Sequence, residues 1–131
     1  MGTGKLVVAV TGASGAIYAQ RFLRQAARKY DEVLLMLSEQ AIQVAATELG
    51  VAPRRDPFRT DEWLGEAFEN IRLLDSRNYF TPPASGSFRH DGMVVLPCSM
   101  GTAGRIAHGI SDDLTTRAAD VCLKEKRPLV L

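Results

Sequence analysis

The sequence has 131 residues, 46% hydrophobic, 24% charged and 7% aromatic, the balance of one globular domain able to bury a real core. Sixteen Lys and Arg face fifteen Asp and Glu, and the signs nearly cancel in every segment, which excludes the basic surface that nucleic acid demands. No apolar run approaches the roughly 20 residues of a spanning helix, and no signal-peptide pattern opens the chain. Cys98 and Cys122 are too few and too far apart for a disulfide framework or a metal knuckle, so a reducing cytoplasm is the simplest compartment.

Lys5–Thr11 is a continuous apolar run that ends in a glycine-rich turn, as expected of a strand buried on both faces of a parallel sheet. Ala16, Ala19, Phe22, Leu23 and Ala26 then recur at helical spacing, with Gln20, Arg21, Arg24 and Lys29 opposite, which predicts an amphipathic helix to about Lys29. Val33–Leu37 reads as a second strand, and Ser38 as the cap of a helix over 39–49 with Ile42, Ala45 and Ala46 as its stripe. Pro53, Arg54, Arg55, Asp56 and Pro57 form a polar connection, followed by a short helix near Asp61–Phe68 and a strand near Ile71–Leu74. Residues 76–91 lack hydrophobic period and contain Pro82-Pro83-Ala84-Ser85-Gly86-Ser87, a loop long enough to carry function. A strand at 93–97, helices to about His108 and Lys124, and a last strand at 128–131 complete a β-α alternation. That alternation predicts a flavodoxin-like (Rossmann-like) three-layer α/β domain with a parallel sheet.

In such a sheet, ligands bind beyond the carboxyl ends of the strands. Three of those ends share one chemistry: Gly12-Ala13-Ser14-Gly15, Ser38, and Ser99-Met100-Gly101-Thr102. Each offers hydroxyls or small residues with unpaired amides at a helix N-terminus, suited to a phosphate or the polar edge of a flavin. Any one of them is equally well an ordinary helix cap. A nicotinamide site fits poorly, because Tyr18 stands where a packing glycine is needed and Ser38 where a ribose-binding carboxylate belongs. Nor is there a Tyr-x-x-x-Lys pair, since Phe22, Leu34 and Pro83 follow the tyrosines four places on. Cys98 reads as a small buried residue, His108 as a helix-terminal residue and His90 as a loop residue.

Thr-Gly-Ala-Ser-Gly-Ala at 11–16, Pro-Pro-Ala-Ser-Gly-Ser at 82–87, Pro-Cys-Ser-Met-Gly-Thr at 97–102 and the segment 117–131 resemble the flavin prenyltransferases. That is the UbiX-type family, formerly described as aromatic acid decarboxylases, and the resemblance runs in order along the whole chain. It implies that residues 1–131 form a single FMN-binding flavoprotein domain. The implied reaction joins a dimethylallyl group from dimethylallyl monophosphate to N5 and C6 of reduced FMN, without a metal. Prenylated FMN would pass to a partner decarboxylase of the UbiD type. The resemblance also implies a homo-oligomer, a dodecamer built from trimers, with active sites shared between subunits.

Carried over by residue, the resemblance makes Gly12, Ala13, Ser14, Ser38, Ser99, Met100, Gly101 and Thr102 the FMN contacts. Ser14 and Glu48 would act together in proton transfer, because ring closure must remove the C6 proton and a carboxylate can take it through a hydroxyl. From position alone Glu48 is a solvated residue in the last turn of its helix. Lys124 would bind the substrate phosphate and help it leave, although beside Glu125 and Lys126 it otherwise reads as an exposed lysine. The role of Arg117 stays open. The flavin-dependent cysteine decarboxylases are the nearer rival, but their loop reads Pro-Ala-Ser-Ala-Asn-Thr, and residues 38–75 lack the histidine they use. A non-catalytic flavin-binding protein is the other alternative. Family members continue past the strand that ends at Leu131, with Arg, Glu and Tyr groups that hold both ligands. The resemblance therefore implies a C-terminally truncated chain that binds FMN weakly and turns over little.

Overall fold

The computed structural model describes residues 4–51 and 59–131, so the connection expected at 53–57 lies outside the described residues. Five strands form one parallel sheet: β1 (Lys5–Val10), β2 (Glu32–Leu37), β3 (Ile71–Leu73), β4 (Met93–Val95) and β5 (Leu129–Val130), in the order β3-β2-β1-β4-β5. Register is set by the apolar runs, with Leu6 opposite Val33 and Val10 opposite Leu37, and Val8 opposite Val94 on the other side.

Because successive strand residues point to opposite faces, β1 feeds two cores. Leu6, Val8 and Val10 pack with α1 (Ala16–Lys29), α2 (Glu39–Leu49) and Trp63 of α3 (Thr60–Leu64). Val7 and Ala9 pack with Met36, Met93 and the buried sides of α4 (Met100–Ala107) and α5 (Leu114–Glu125). The result is helix, sheet, helix. The order of strands reverses between β1 and β4, so the crevice that doubly wound sheets use for ligands falls between their carboxyl ends.

The structure corrects several local expectations. The helix expected near 61–68 stops at Leu64, because Gly65 takes a left-handed backbone (φ 73°) and turns its amide back onto the Asp61 carbonyl. Gln20, expected in solvent, is buried and its Nε2 donates to the Trp63 carbonyl at 2.9 Å. Arg24 donates to the Leu64 carbonyl from the same side. Part of the polar side of α1 thus receives α3, while Arg21 and Lys29 stay exposed to water as expected. Ala46 is exposed, and Ala41 takes its place in the buried stripe of α2. The last three strands are also shorter than their apolar runs, and β4 ends before the cis Leu96–Pro97 bond.

Candidate functional site

The serines at the strand ends serve first as helix caps. Ser38 follows β2 and accepts the Ala41 amide at 3.0 Å, which starts α2. Ser99 follows β4, accepts the Thr102 amide at 3.2 Å and donates its own proton to Thr102 Oγ1 at 2.9 Å. Buried Thr11 ties the loops after β1 and β4 together, because its hydroxyl donates to the Pro97 carbonyl at 2.7 Å and accepts the Ser99 amide at 2.8 Å. Gly12 runs so close to α2 that a Cβ there would lie 2.3 Å from Gln40 Cβ.

A cavity of about 370 Å³ opens between these ends, lined by Gly12, Ser38, Ser99, Thr102, Arg105 and Asp113 among others. It brings four of the expected contacts together. Two helix N-termini, α2 and α4, deliver their amide ends to it, so its potential favours an anion. Among the described residues the Ser38 hydroxyl, which accepts the Ala41 amide, and the Thr102 hydroxyl, which accepts from Ser99 and Arg105, have no acceptor for their own protons. Met100 and Gly101 are exposed at the start of α4, and Ala13 is half-buried beside Gly12.

Ser14 and Glu48 stand together at a second cavity, of about 380 Å³, shared with Gln43, Val44 and Thr47. Helix α1 has no side-chain cap of its own, because Gly15 precedes it with φ 112°. Glu48 supplies the cap from α2. Its Oε1 accepts the Gly15 amide at 3.0 Å and the Ala16 amide at 2.9 Å, while its Oε2 accepts the Ser14 hydroxyl at 2.5 Å. The Ser14 hydrogen bond first, and the two amides after it, hold the carboxyl below the usual glutamate range despite a small opposing effect of burial. One oxygen is fixed by backbone while the other is free to exchange a proton with Ser14.

Lys124 is not in this cluster. The N-terminus of α5 is capped by Asp113, which lines the anion-favouring cavity, and Lys124 lies in the last turn of the same helix. Ten residues at 1.5 Å each put about 15 Å between them along the axis. Lys124 instead lies beside Glu125 (3.8 Å) and the Gly86 backbone. The loop holding Pro82–Ala84 is fastened there by Arg117, whose Nε donates to the Ala84 carbonyl at 3.2 Å, and by Arg127, which donates to the Gly86 carbonyl at 2.8 Å. That gives Arg117 a structural task. A cavity of about 830 Å³ opens at this amino end of the sheet beside Lys5, Gly86, Asp91 and Arg127.

Cys98 is half-buried, and burial pushes its thiol up, away from nucleophilic use. His108 ends α4 with Nδ1 on the Gly104 carbonyl at 2.8 Å. His90 packs its Nε2 3.8 Å from the Cys122 sulfur, and burial, then Arg127, pushes its pKa down. Sequence patterning gave no signal for Arg105 or Gln40, since both sit where a helix ordinarily shows polar residues to water. No helix among the described residues is long and apolar enough to cross a membrane.

The family described as Flavoprotein matches residues 1–131. The flavin prenyltransferase UbiX of Pseudomonas aeruginosa PAO1 is 43% identical over 99% of this chain and 64% of its own length. A dodecameric FMN-dependent UbiX-like decarboxylase from Escherichia coli O157:H7 superposes with a TM-score of 0.79 at 35% identity, over 97% of this chain and 65% of the other. AnUbiX (PadA1), solved with FMN and dimethylallyl pyrophosphate, gives a TM-score of 0.76 at 35% identity over 97% and 62%. The chain thus spans a little under two thirds of the length of these relatives.

Proposed function

This chain belongs to the Flavoprotein family, and from that premise we propose that the protein is a flavin prenyltransferase that joins a dimethylallyl group to N5 and C6 of reduced FMN. The observation that carries this reading is the Ser14–Glu48 pair, a hydroxyl donating to an ionised carboxylate, on the same loop after β1 whose Gly12 lines the anion-favouring cavity. The donor set fits a phosphate monoester: two hydroxyl protons, one guanidinium and two helix N-termini, with Ser38 in place of a repelling carboxylate at the end of β2. The 43% identical UbiX and the FMN complex of AnUbiX support the same chemistry.

N5 of reduced FMN would bond to C1 of the dimethylallyl group as its phosphate leaves, and C6 would bond to C3 as C6 loses its proton and the intervening alkene carbon, C2, takes one up. This chain's residues divide that work. Ser38, Thr102 and the amide ends of α2 and α4 hold the flavin phosphate. Ser14 accepts the C6 proton as it passes its own to Glu48 Oε2, and Oε1 stays pinned by the α1 amides so the acceptor does not swing away. Lys124 neutralises the departing phosphate, and its place about 15 Å along α5 requires that it act in the site of a neighbouring copy. The assembly is therefore a homo-oligomer with shared sites, of the dodecameric kind seen in the E. coli relative. The protein works in the cytoplasm and hands prenylated FMN to a UbiD-type decarboxylase.

The test is to incubate the full-length protein anaerobically with reduced FMN and either dimethylallyl monophosphate or the pyrophosphate, followed by mass analysis. We expect a flavin heavier by one prenyl group with the monophosphate. Flavin bound but unchanged with both esters would leave a flavin carrier in place of a transferase.

A further inference from the structure

Among the described residues that line the anion-favouring cavity one is cationic, and it is not one that the site's motifs predict. Arg105 lies in the last turn of α4 and lines the cavity with Ser38, Ser99 and Thr102. Its five N–H groups can be counted. Nε donates to the Gly101 carbonyl at 3.2 Å. The Nη1 pair goes to Asp112 at 2.8 Å and Asp113 at 3.3 Å. One Nη2 proton goes to Thr102 Oγ1 at 3.1 Å. Among the described residues, the second Nη2 proton has no acceptor. The guanidinium is thus held in one pose from several sides, with a donor to spare beside the hydroxyls.

Asp113 lines the same cavity with the opposite charge. Its Oδ1 is committed to capping α5 through the Thr116 amide (2.8 Å) and hydroxyl (2.7 Å), and its Oδ2 faces Arg105. A bare carboxylate there would repel a phosphate, and Arg105 offsets it. We propose that Arg105 and Asp113 form a charge-setting pair for the ligand's phosphate, in which Arg105 is its cationic hydrogen-bond donor and Asp113 withholds part of that charge. The pair discriminates a phosphorylated flavin from its dephosphorylated form. This rests on the reading of the cavity as an FMN site.

FMN and riboflavin differ only by the phosphate, so titrating both separates the pair from the rest of the site. For Arg105→Gln we expect FMN to bind about tenfold more weakly, the loss of one charge-assisted hydrogen bond, with riboflavin unchanged within about twofold. Arg105→Lys keeps the charge without the fork and should recover part of the loss. Asp113→Asn keeps an equally good helix cap, so it tests the pair independently of folding, and it should tighten FMN several-fold while leaving riboflavin alone. FMN affinity of the unsubstituted protein should also fall more steeply with salt than that of Arg105→Gln. Equal changes for both flavins, or an Asp113→Asn protein with unaltered FMN affinity, would overturn the pair while leaving the flavin site standing. A wild-type protein that binds neither flavin would overturn both.

Discussion

A carboxylate in the last turn of a helix meets the negative end of the helix dipole, and Glu48 occupies that unfavourable place in α2. The compensation comes from the positive end of α1, whose first amides it caps. Its carboxyl, lowered from the ordinary value of 4.5, binds a proton less readily in the fold than in the unfolded chain. Its contribution to stability is therefore complete above about pH 4.5 and is lost as the pH falls through the lowered value. Glu48→Gln separates cap from relay. The amide oxygen can still accept from Gly15 and Ala16, but its NH2 donates to Ser14 and reverses the relay bond. We expect near-normal FMN affinity and product formation slowed about 100-fold or more, measured in single turnovers. The stability of the two proteins should converge as the pH drops below 4.5, the ordinary glutamate value. Unimpaired turnover in Glu48→Gln would remove Glu48 from proton transfer.

At the scale of elements, α3 is the piece whose position least resembles a surface turn. Trp63 is fully buried against α1 and β2 residues, and Gln20 and Arg24 hold the carbonyls of Trp63 and Leu64. Its indole Nε1 has no hydrogen-bond partner among the described residues, so shape and apolar burial carry its contribution. Trp63→Ala should cost about 3–5 kcal/mol in denaturant unfolding. A loss under about 1 kcal/mol would mean that α3 is peripheral to the core. This contact also marks where sequence reading ends. The strands β1 and β2 are legible because they are unbroken apolar runs, and helices α1 and α2 because apolar residues recur at helical spacing and Ser38 caps α2 as its type predicts. A bond between Gln20 and a carbonyl 43 residues away leaves no local trace, so the polar side of α1 looked like solvent-facing surface. The site divides in the same manner. Gly12, Ser38, Ser99 and Thr102 announce themselves as small or hydroxyl residues at strand ends. Glu48 reaches Ser14 across 34 residues, and only the family resemblance pointed to it. Arg105 is a basic residue near a helix C-terminus, a placement so ordinary that its convergence with Asp113 needs three dimensions to be seen.

For the whole molecule, the decisive fact is that α5 joins two ends of the sheet that do different work. Its Asp113 end stands with Ser99 and Thr102 at the carboxyl ends of the strands, and its Lys124 end stands with Gly86 at the amino ends. The 12-residue helix is about 18 Å long, so one copy cannot bring Lys124 to its own Ser14–Glu48 pair without unfolding. Under the proposed reaction, each copy gives the relay to one site and the lysine to another. The direct measurement is complementation between two inactive full-length forms, Glu48→Gln and Lys124→Ala, distinctly tagged, co-expressed and purified together through both tags. Random pairing of neighbours leaves about a quarter of the sites with an intact relay and an intact lysine, so the mixed assembly should regain roughly that share of wild-type prenylation while each form alone stays inactive. A co-purified assembly with no more activity than its inactive parts would contradict a site built from two copies.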